Sequence, residues 1–284
     1  MEKIAYVMDS SCFLDEKTVR EMDIFFIPLH IIIEGEDYLE GKNLDKDFLL
    51  EAIKNKKNVT TSQPSPGEII EFVEMLKQEG YTCAIFSSIG SALSNTLENT
   101  VSLAAAEGFK IYPVDSKSVG NAQTIPLLKI RREIESNNKS IEEAIAFVQD
   151  DINSSQTFLL VEDLFHLSRG GRITAAAAAL GTMLKIKPIL SVAAANNGQI
   201  DVYEKVRTAK KASKRMAEIA IENYDPDKHV ILIAYFGGQK KMMEVKKELL
   251  ALDNNLVLEE YELTTVIGVH TGLESVGIQI CSKL

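Results

Sequence analysis

The sequence predicts an α/β protein in two α/β lobes, the first with a parallel Rossmann-like sheet and the second a mixed sheet with helices. Three observations carry this. Short apolar runs alternate with amphipathic helical stretches, the signature of a parallel sheet covered on both faces. Three of the first-half runs end in small polar loops, Asp9-Ser10-Ser11, Ser87-Ser88 and Asp115-Ser116, as expected at the carboxyl ends of strands where open α/β sheets bind ligands. The chain's 284 residues exceed the typical length of one domain, and the polar break Asn153-Ser154-Ser155-Gln156 divides it into residues 1–153 and 154–284.

The elements follow in order. Ile4 to Met8 reads as a strand, Phe25 to Ile33 as one or two strands, and residues 45–55 as a helix. Ser65-Pro66-Gly67-Glu68 combines a capping box with proline at the first helical position. Behind it Ile69, Phe72, Val73 and Leu76 form one apolar stripe, and Gly80 stops the helix. Cys83 to Phe86 is a strand, and Leu93, Leu97 and Val101 mark the next helix, which Gly108 ends. Ile111 to Val114 is a strand, followed by helices over 119–135 and 140–153.

The second half opens with a strand from Thr157 to Val161. An alanine-rich helix, Thr174 to Leu184, is apolar all round and is therefore buried or lines something apolar, either another helix or an acyl chain. Asn197-Gly198 signals a hairpin between strands Pro188 to Val192 and Gln199 to Lys205. Helices over 208–223 and 239–251 alternate with strands Val230 to Phe236 and Leu256 to Leu263, and Gly277 to Cys281 is the last strand.

Composition narrows the function. An apolar fraction of 45% and a charged fraction of 25% are those of a globular protein. A net charge of −10 argues against nucleic acid, which needs a basic footprint. The three cysteines are far apart, with neither metal-ligand spacing nor a disulfide framework, which fits a reducing compartment. The apolar run after the N-terminus is too short for a signal peptide, and no run is long enough for an integral membrane segment, so the expected location is cytoplasmic.

Several constellations could carry chemistry. Thr60-Thr61-Ser62-Gln63-Pro64-Ser65-Pro66 offers hydroxyls and backbone N–H groups to an anion at a helix N-terminus, or else Ser65 only caps and the threonines only turn the chain. Ser87 to Thr96 sits at a strand-to-helix junction, where Ser94 either donates to a carboxylate or starts the helix. Ser168-Arg169-Gly170-Gly171-Arg172 pairs glycines that permit close approach with arginines suited to anions, or is a helix stop and start. It lacks the phosphate-loop spacing. Gly268-Val269-His270-Thr271-Gly272 places a histidine between glycines in a loop, as a ligand or as a structural residue. Lys205 to Arg215 holds six cations and no acid, a solvated helix face or a docking surface for an acidic partner. Known hydrolase and zinc motifs are missing. Asp9 and Asp115, with the Arg169 to Arg172 loop, keep open an enzyme acting on a small anionic substrate, phosphorylated or acyl.

Taken together, the motifs resemble the DegV family of fatty-acid-binding proteins. The matching stretches are Val7-Met8-Asp9-Ser10-Ser11-Cys12, Thr61-Ser62-Gln63-Pro64-Ser65-Pro66, Ser87-Ser88, Leu93-Ser94-Asn95-Thr96, Val114-Asp115-Ser116, Leu167 to Ile173, Ile186 to Leu190, Glu204-Lys205-Val206-Arg207 and Gly268 to Gly272. Their order and spacing are specific where each alone is weak. The resemblance implies two α/β domains with a long-chain fatty acid, such as palmitate, between them and no cofactor. It implies that Thr61 and Ser94 hold the carboxylate with His270 nearby. Ser62 belongs with this set, and Ser88, Arg172 and Thr271 are lesser candidates. It further implies a non-catalytic lipid-binding protein that presents its acid to a separate fatty acid kinase, docked through Arg207, to which the basic run adds Lys205 and Lys210 as candidates. The chain departs from the family pattern at Asn95, where glycine is common, and at Leu273-Glu274-Ser275, where Pro-Gly-Ala is usual. These departures bear on the His270 loop and on which acyl chains fit.

Overall fold

Strand β1 (Ile4–Asp9) has five of its six residues buried, the pattern of a strand covered on both faces. The structure is a computed structural model and describes residues 3–162, 164–179 and 186–284. From β1 the chain passes through α1 (Glu16–Glu21), capped by Asp15, to β2 (Phe25–Ile27). Pro28 ends that run. The stretch read as one or two strands is thus two strands in different sheets, because β3 (His30–Ile33) joins β4 (Glu36–Leu39) and β5 (Val59–Ser62) in a small antiparallel sheet ordered β4-β3-β5. Helix α2 (Lys46–Lys54) links β4 to β5.

The capping box opens α3 (Pro66–Gln78) as expected: the Ser65 hydroxyl accepts from the Glu68 N–H, and the Glu68 carboxylate accepts from the Ser65 N–H. Then come β6 (Cys83–Ser88), α4 (Thr96–Ala106), β7 (Lys110–Asp115) and α5 (Asn121–Glu135). The stretch 140–153, expected as one helix, is two, α6 (Ile141–Phe147) and α7 (Gln149–Ser154), broken at Val148. Strands β2-β1-β6-β7 form a wholly parallel sheet. Leu127 and Ile130 of α5 and Ile141 of α6 cover one face, while Val73 and Leu76 of α3 and Leu97 of α4 cover the other.

The second half contains β8 (Gln156–Leu160), α8 (Phe165–Gly170), α9 (Ala175–Ala179), β9 (Lys187–Ala193), β10 (Asp201–Val206), α10 (Ala209–Asn223), β11 (His229–Phe236), α11 (Lys240–Leu252), β12 (Leu258–Glu262), α12 (Thr265–Thr271) and β13 (Ser275–Ser282). Six strands form a mixed sheet ordered β10-β9-β8-β13-β11-β12, parallel only between β11 and β12. In the turn from β9 to β10, Asn197 and Gly198 both take positive φ, 55° and 74°, the conformation that favours these residues there. Val276, Ile278 and Ile280 of β13 face Met216 of α10 and Val245 of α11. The alternate residues, Gly277 and Gln279, face the other way.

Three further expectations need correction. The glycine-flanked His270 stretch is helical, not a loop: α12 runs to Thr271. Thr60, Thr61 and Ser62 lie in β5, paired with Ile32, Ile31 and His30, so strand pairing rather than a helix start positions them. In the alanine-rich segment only Ala177 of α9 is buried, and Ala175, Ala176 and Ala179 are exposed. Alanine has little apolar surface to hide, so exposure costs little. The rest of that segment, Leu180 to Leu184, lies outside the described residues.

The parallel sheet lies entirely before residue 153 and the six-stranded sheet entirely after it. The small sheet is N-terminal in sequence, yet its Ile31 shares a core with Phe236, Val266 and Val269.

Candidate ligand cavity

The small sheet, the six-stranded sheet and α12 do not close completely on one another. Between them lies a cavity of about 1000 Å³, mouth included. Its walls are mainly aliphatic, with Leu29, Leu93, Leu159, Val192, Val266 and Ile267 among them. Polar groups enter at two places, which differ in whether those groups are already satisfied.

At one end stand Thr61, Ser62, Ser94, Arg172, His270 and Thr271, six of the seven residues expected to bind ligand. Thr61 Oγ1 is 2.7 Å from His270 Nε2. Burial pushes the His270 imidazole down to about 4, and the charges of Arg172 and His166 press the same way. The ring is therefore neutral at pH 7. With its proton on Nε2 it donates to Thr61 and frees the Thr61 hydroxyl hydrogen for an anion. Its other edge lies against Gly170, where a Cβ would collide with Nδ1. Gly170 is thus needed for close approach.

Ser94 precedes α4. Its hydroxyl lies 2.8 Å from Thr96 Oγ1 and accepts from the Thr96 N–H at 3.3 Å. The exposed Ser62 donates to the Gln63 carbonyl at 3.0 Å. Arg172 reaches across to donate to the Leu93 carbonyl at 3.1 Å and to that of Gly170. The loop that carries Ser94 and the end of α8 are thereby tied together. Thr271 accepts from Ser275 at 2.9 Å.

A second, polar pocket of about 620 Å³ adjoins this end and shares Thr61, Arg172 and His270 with it. It adds Thr60, His166 and Arg169, and Arg169 also donates to Asn58. His270 is half-buried because its exposed part faces these two spaces. A larger groove beside β2, about 1430 Å³, holds none of the expected ligand residues and has four acids, Asp23, Glu68, Glu71 and Glu79, against two cations, Arg20 and Lys42, on its walls. That excess of acids suits a carboxylate poorly.

Ser88 lies elsewhere. It is fully buried and donates to Asp9 Oδ2 at 2.6 Å. Asp9 also accepts from the Ile89 N–H at 2.7 Å and from the hydroxyl and N–H of Ser11. This carboxylate pins together the loops after β1 and β6 and does not line the cavity. Asp115 is likewise engaged. Burial opposes its ionisation, but bonds from Ser91 and Lys117 outweigh this and hold it below the usual carboxylate range. Among the described residues no cluster of His, Cys, Asp and Glu is placed to hold a metal ion.

Glu40, which carries no sequence signal, positions α12. Its carboxylate accepts from the Thr265 N–H at 3.0 Å, from the Val266 N–H at 2.6 Å and from the Thr265 hydroxyl. Burial raises its pKa while these bonds oppose the rise. Its N–H donates to the Leu29 carbonyl at 2.9 Å, so one residue holds two cavity walls. Leu273 and Glu274, two of the departures, are not among the residues that line the cavity and lie against Gly237 and Gly238. A Cβ on Gly237 would meet Leu273 at 2.6 Å, and one on Gly238 would collide with Glu274, so the glycine pair accommodates both. Asn95 is the N-cap residue of α4 without a side-chain capping bond.

Lys205, Arg207 and Lys210 are exposed at the end of β10 and the start of α10. No ion pair engages them among the described residues, whereas Arg215 of the same run binds Glu204 and Glu222. No helix among the described residues is long and apolar enough to cross a membrane.

Comparison with known proteins bears on this arrangement. The DegV family model, described as an uncharacterised protein family, matches residues 3–283. A DegV domain-containing protein of Listeria innocua is 33% identical over 285 residues, covering 98% of each chain. Protein DegV of Bacillus subtilis is 31% identical over 285 residues, covering 99% of each. Among solved structures, a fatty acid binding DegV family protein from Streptococcus agalactiae superposes with a TM-score of 0.89 at 30% identity, covering 100% of both chains. DegV from Bacillus subtilis, described as a fatty acid binding protein, does so with a TM-score of 0.84 at 30% identity and the same coverage. The fold, the whole-length family match and the order of the motifs agree, and the chain belongs to the DegV family.

Proposed function

We propose that this protein binds one long-chain fatty acid, its carboxylate at Thr61, Ser94 and His270 and its tail in this cavity. The observation that carries this reading is the Thr61–His270 pair at the polar end of an otherwise aliphatic cavity. Neutral donors can hold a carboxylate without a formal ion pair, and Arg172 stands close enough to bias the site towards anions. For palmitate, burial of the tail at about 0.8 kcal/mol per methylene offers on the order of 10 kcal/mol before ordering and association costs. The tail then supplies most of the affinity and the hydroxyls set orientation. The description of similar DegV structures as fatty acid binding supports the same ligand.

The finer reading is presentation to a separate fatty acid kinase. Two features support it. The pocket with His166, Arg169 and Arg172 adjoins the carboxylate end, so the acid's head is reachable while its tail is covered. The unpaired cations Lys205, Arg207 and Lys210 offer a docking face to an acidic partner. Calorimetric titration of delipidated protein with palmitate should saturate at one acid per chain, and absence of saturable binding would refute the ligand. Arg207→Glu should slow phosphorylation of bound acid by a partner kinase with palmitate affinity unchanged. Equal loss of both would refute separate docking and lipid sites.

A further inference from the structure

The floor of the cavity is one face of the six-stranded sheet, and its relief follows from strand register. Ser275, Gly277, Gln279 and Cys281 of β13 share this face, opposite Val276, Ile278 and Ile280, with roughly 7 Å between successive members. Ser275 lies under the polar end, where its hydroxyl bonds to Thr271. The next rung is Gly277, paired with Leu159 of β8 and Ala234 of β11. Its centre has no side chain and one of its neighbours is small, which leaves a trough. The rung after that is Gln279, paired with Thr157 and Leu232. Here a full side chain rises from the floor.

Gln279 is held rigidly. Its amide nitrogen donates to the Val119 carbonyl and to Thr157 Oγ1, both at 2.9 Å, and its carbonyl oxygen accepts from the Ala122 N–H at 3.2 Å. Both amide hydrogens are committed, so this second polar place in the cavity has no donor left for a carboxylate. Beyond it, Cys281 is covered by Ala122 and Ile125 of α5. The floor is therefore open at Gly277 and walled at Gln279 by the first turn of α5.

We propose that Gly277 and Gln279 set the acyl-chain length this protein accepts: Gly277 is the trough along which the tail lies, and Gln279 is the stop its methyl end meets. This rests on the fatty-acid reading and adds the direction of the tail along β13 and the residues that limit it. Gly277 tolerates side chains. Its φ is not in the left-handed region, and a Cβ there meets only the Phe158 carbonyl oxygen, at 3.5 Å, an ordinary contact. Alanine at 277 therefore enters the trough without straining the strand, and the γ-methyls of valine would take up more of it.

The test is a chain-length series. Wild type, Gly277→Ala and Gly277→Val are delipidated and titrated with saturated acids from C10 to C20, and folding is checked by thermal denaturation. Wild type should peak at one length. Gly277→Ala should weaken the longest bound acids about tenfold, and Gly277→Val should move the optimum several carbons shorter. Should Gly277→Val fail to fold, the alanine variant still decides. Length profiles of folded variants that match wild type overturn the proposal. A wild type that binds no acid at any length instead overturns the fatty-acid reading.

Discussion

The Thr61 hydroxyl stands 2.7 Å from His270 Nε2, although 209 residues separate the two in the chain. Thr61 comes from β5 of the small sheet and His270 from the last turn of α12, so the pair exists only when these two elements pack. Thr61→Val preserves shape and β-branching and removes only the hydroxyl. Palmitate affinity should fall by about 1–3 kcal/mol, the loss of a hydrogen bond to a charged group. Stability should change by about 1 kcal/mol or less. Titration calorimetry beside urea denaturation separates the two effects.

A pH dependence follows from His270. Its folded pKa, about 4, lies below the ordinary 6.5, so the unfolded chain binds the proton more readily between these values. The His270 contribution to stability is full above pH 6.5 and is lost progressively as pH falls towards 4. The loss is on the order of 3 kcal/mol. Denaturation at several pH values should show this extra slope in wild type and lack it in His270→Gln. Equal slopes in both would show that the ring is not held neutral.

Gly170 tests how tightly that ring is confined. A Cβ at this position collides with the imidazole, so Gly170→Ala must displace His270 or the end of α8. Overpacking of this kind costs about 1–3 kcal/mol. Palmitate affinity should fall at least tenfold, and the His270 ring resonances should shift in the NMR spectrum.

Glu40 tests the support of α12. Its carboxylate accepts three hydrogen bonds from Thr265 and Val266. A glutamine amide offers one acceptor oxygen and turns N–H against N–H. Glu40→Gln should cost about 2–3 kcal/mol of stability, with reduced hydrogen-exchange protection concentrated in α12.

How far these features were legible from sequence depended on whether their causes were local. The start of α3 was readable because Ser65, Pro66 and Glu68 supply its cap within four residues. Helix α12 was not, because its glycines suggest a loop and its N-terminal N–H groups are satisfied by Glu40, 225 residues before Thr265. Thr60 and Thr61 looked like a turn because their strand identity comes from pairing with Ile32 and Ile31. The expectation for the hydroxyls and His270 comes from the order of family motifs, which needs no geometry. Ser88 belongs to the same motifs but serves Asp9, a distinction only the fold supplies. The relief of the cavity floor at Gly277 and Gln279 arises from the register of β13 with β8 and β11 and has no local signature.

The most direct test of fatty-acid binding is denaturing extraction of the purified protein followed by mass spectrometry of what it carried. The expected result is one long-chain fatty acid per chain, lost in the double variant Thr61→Ala/Ser94→Ala while the protein remains folded. A wild-type protein that carries no fatty acid and takes up none when offered would contradict the assignment.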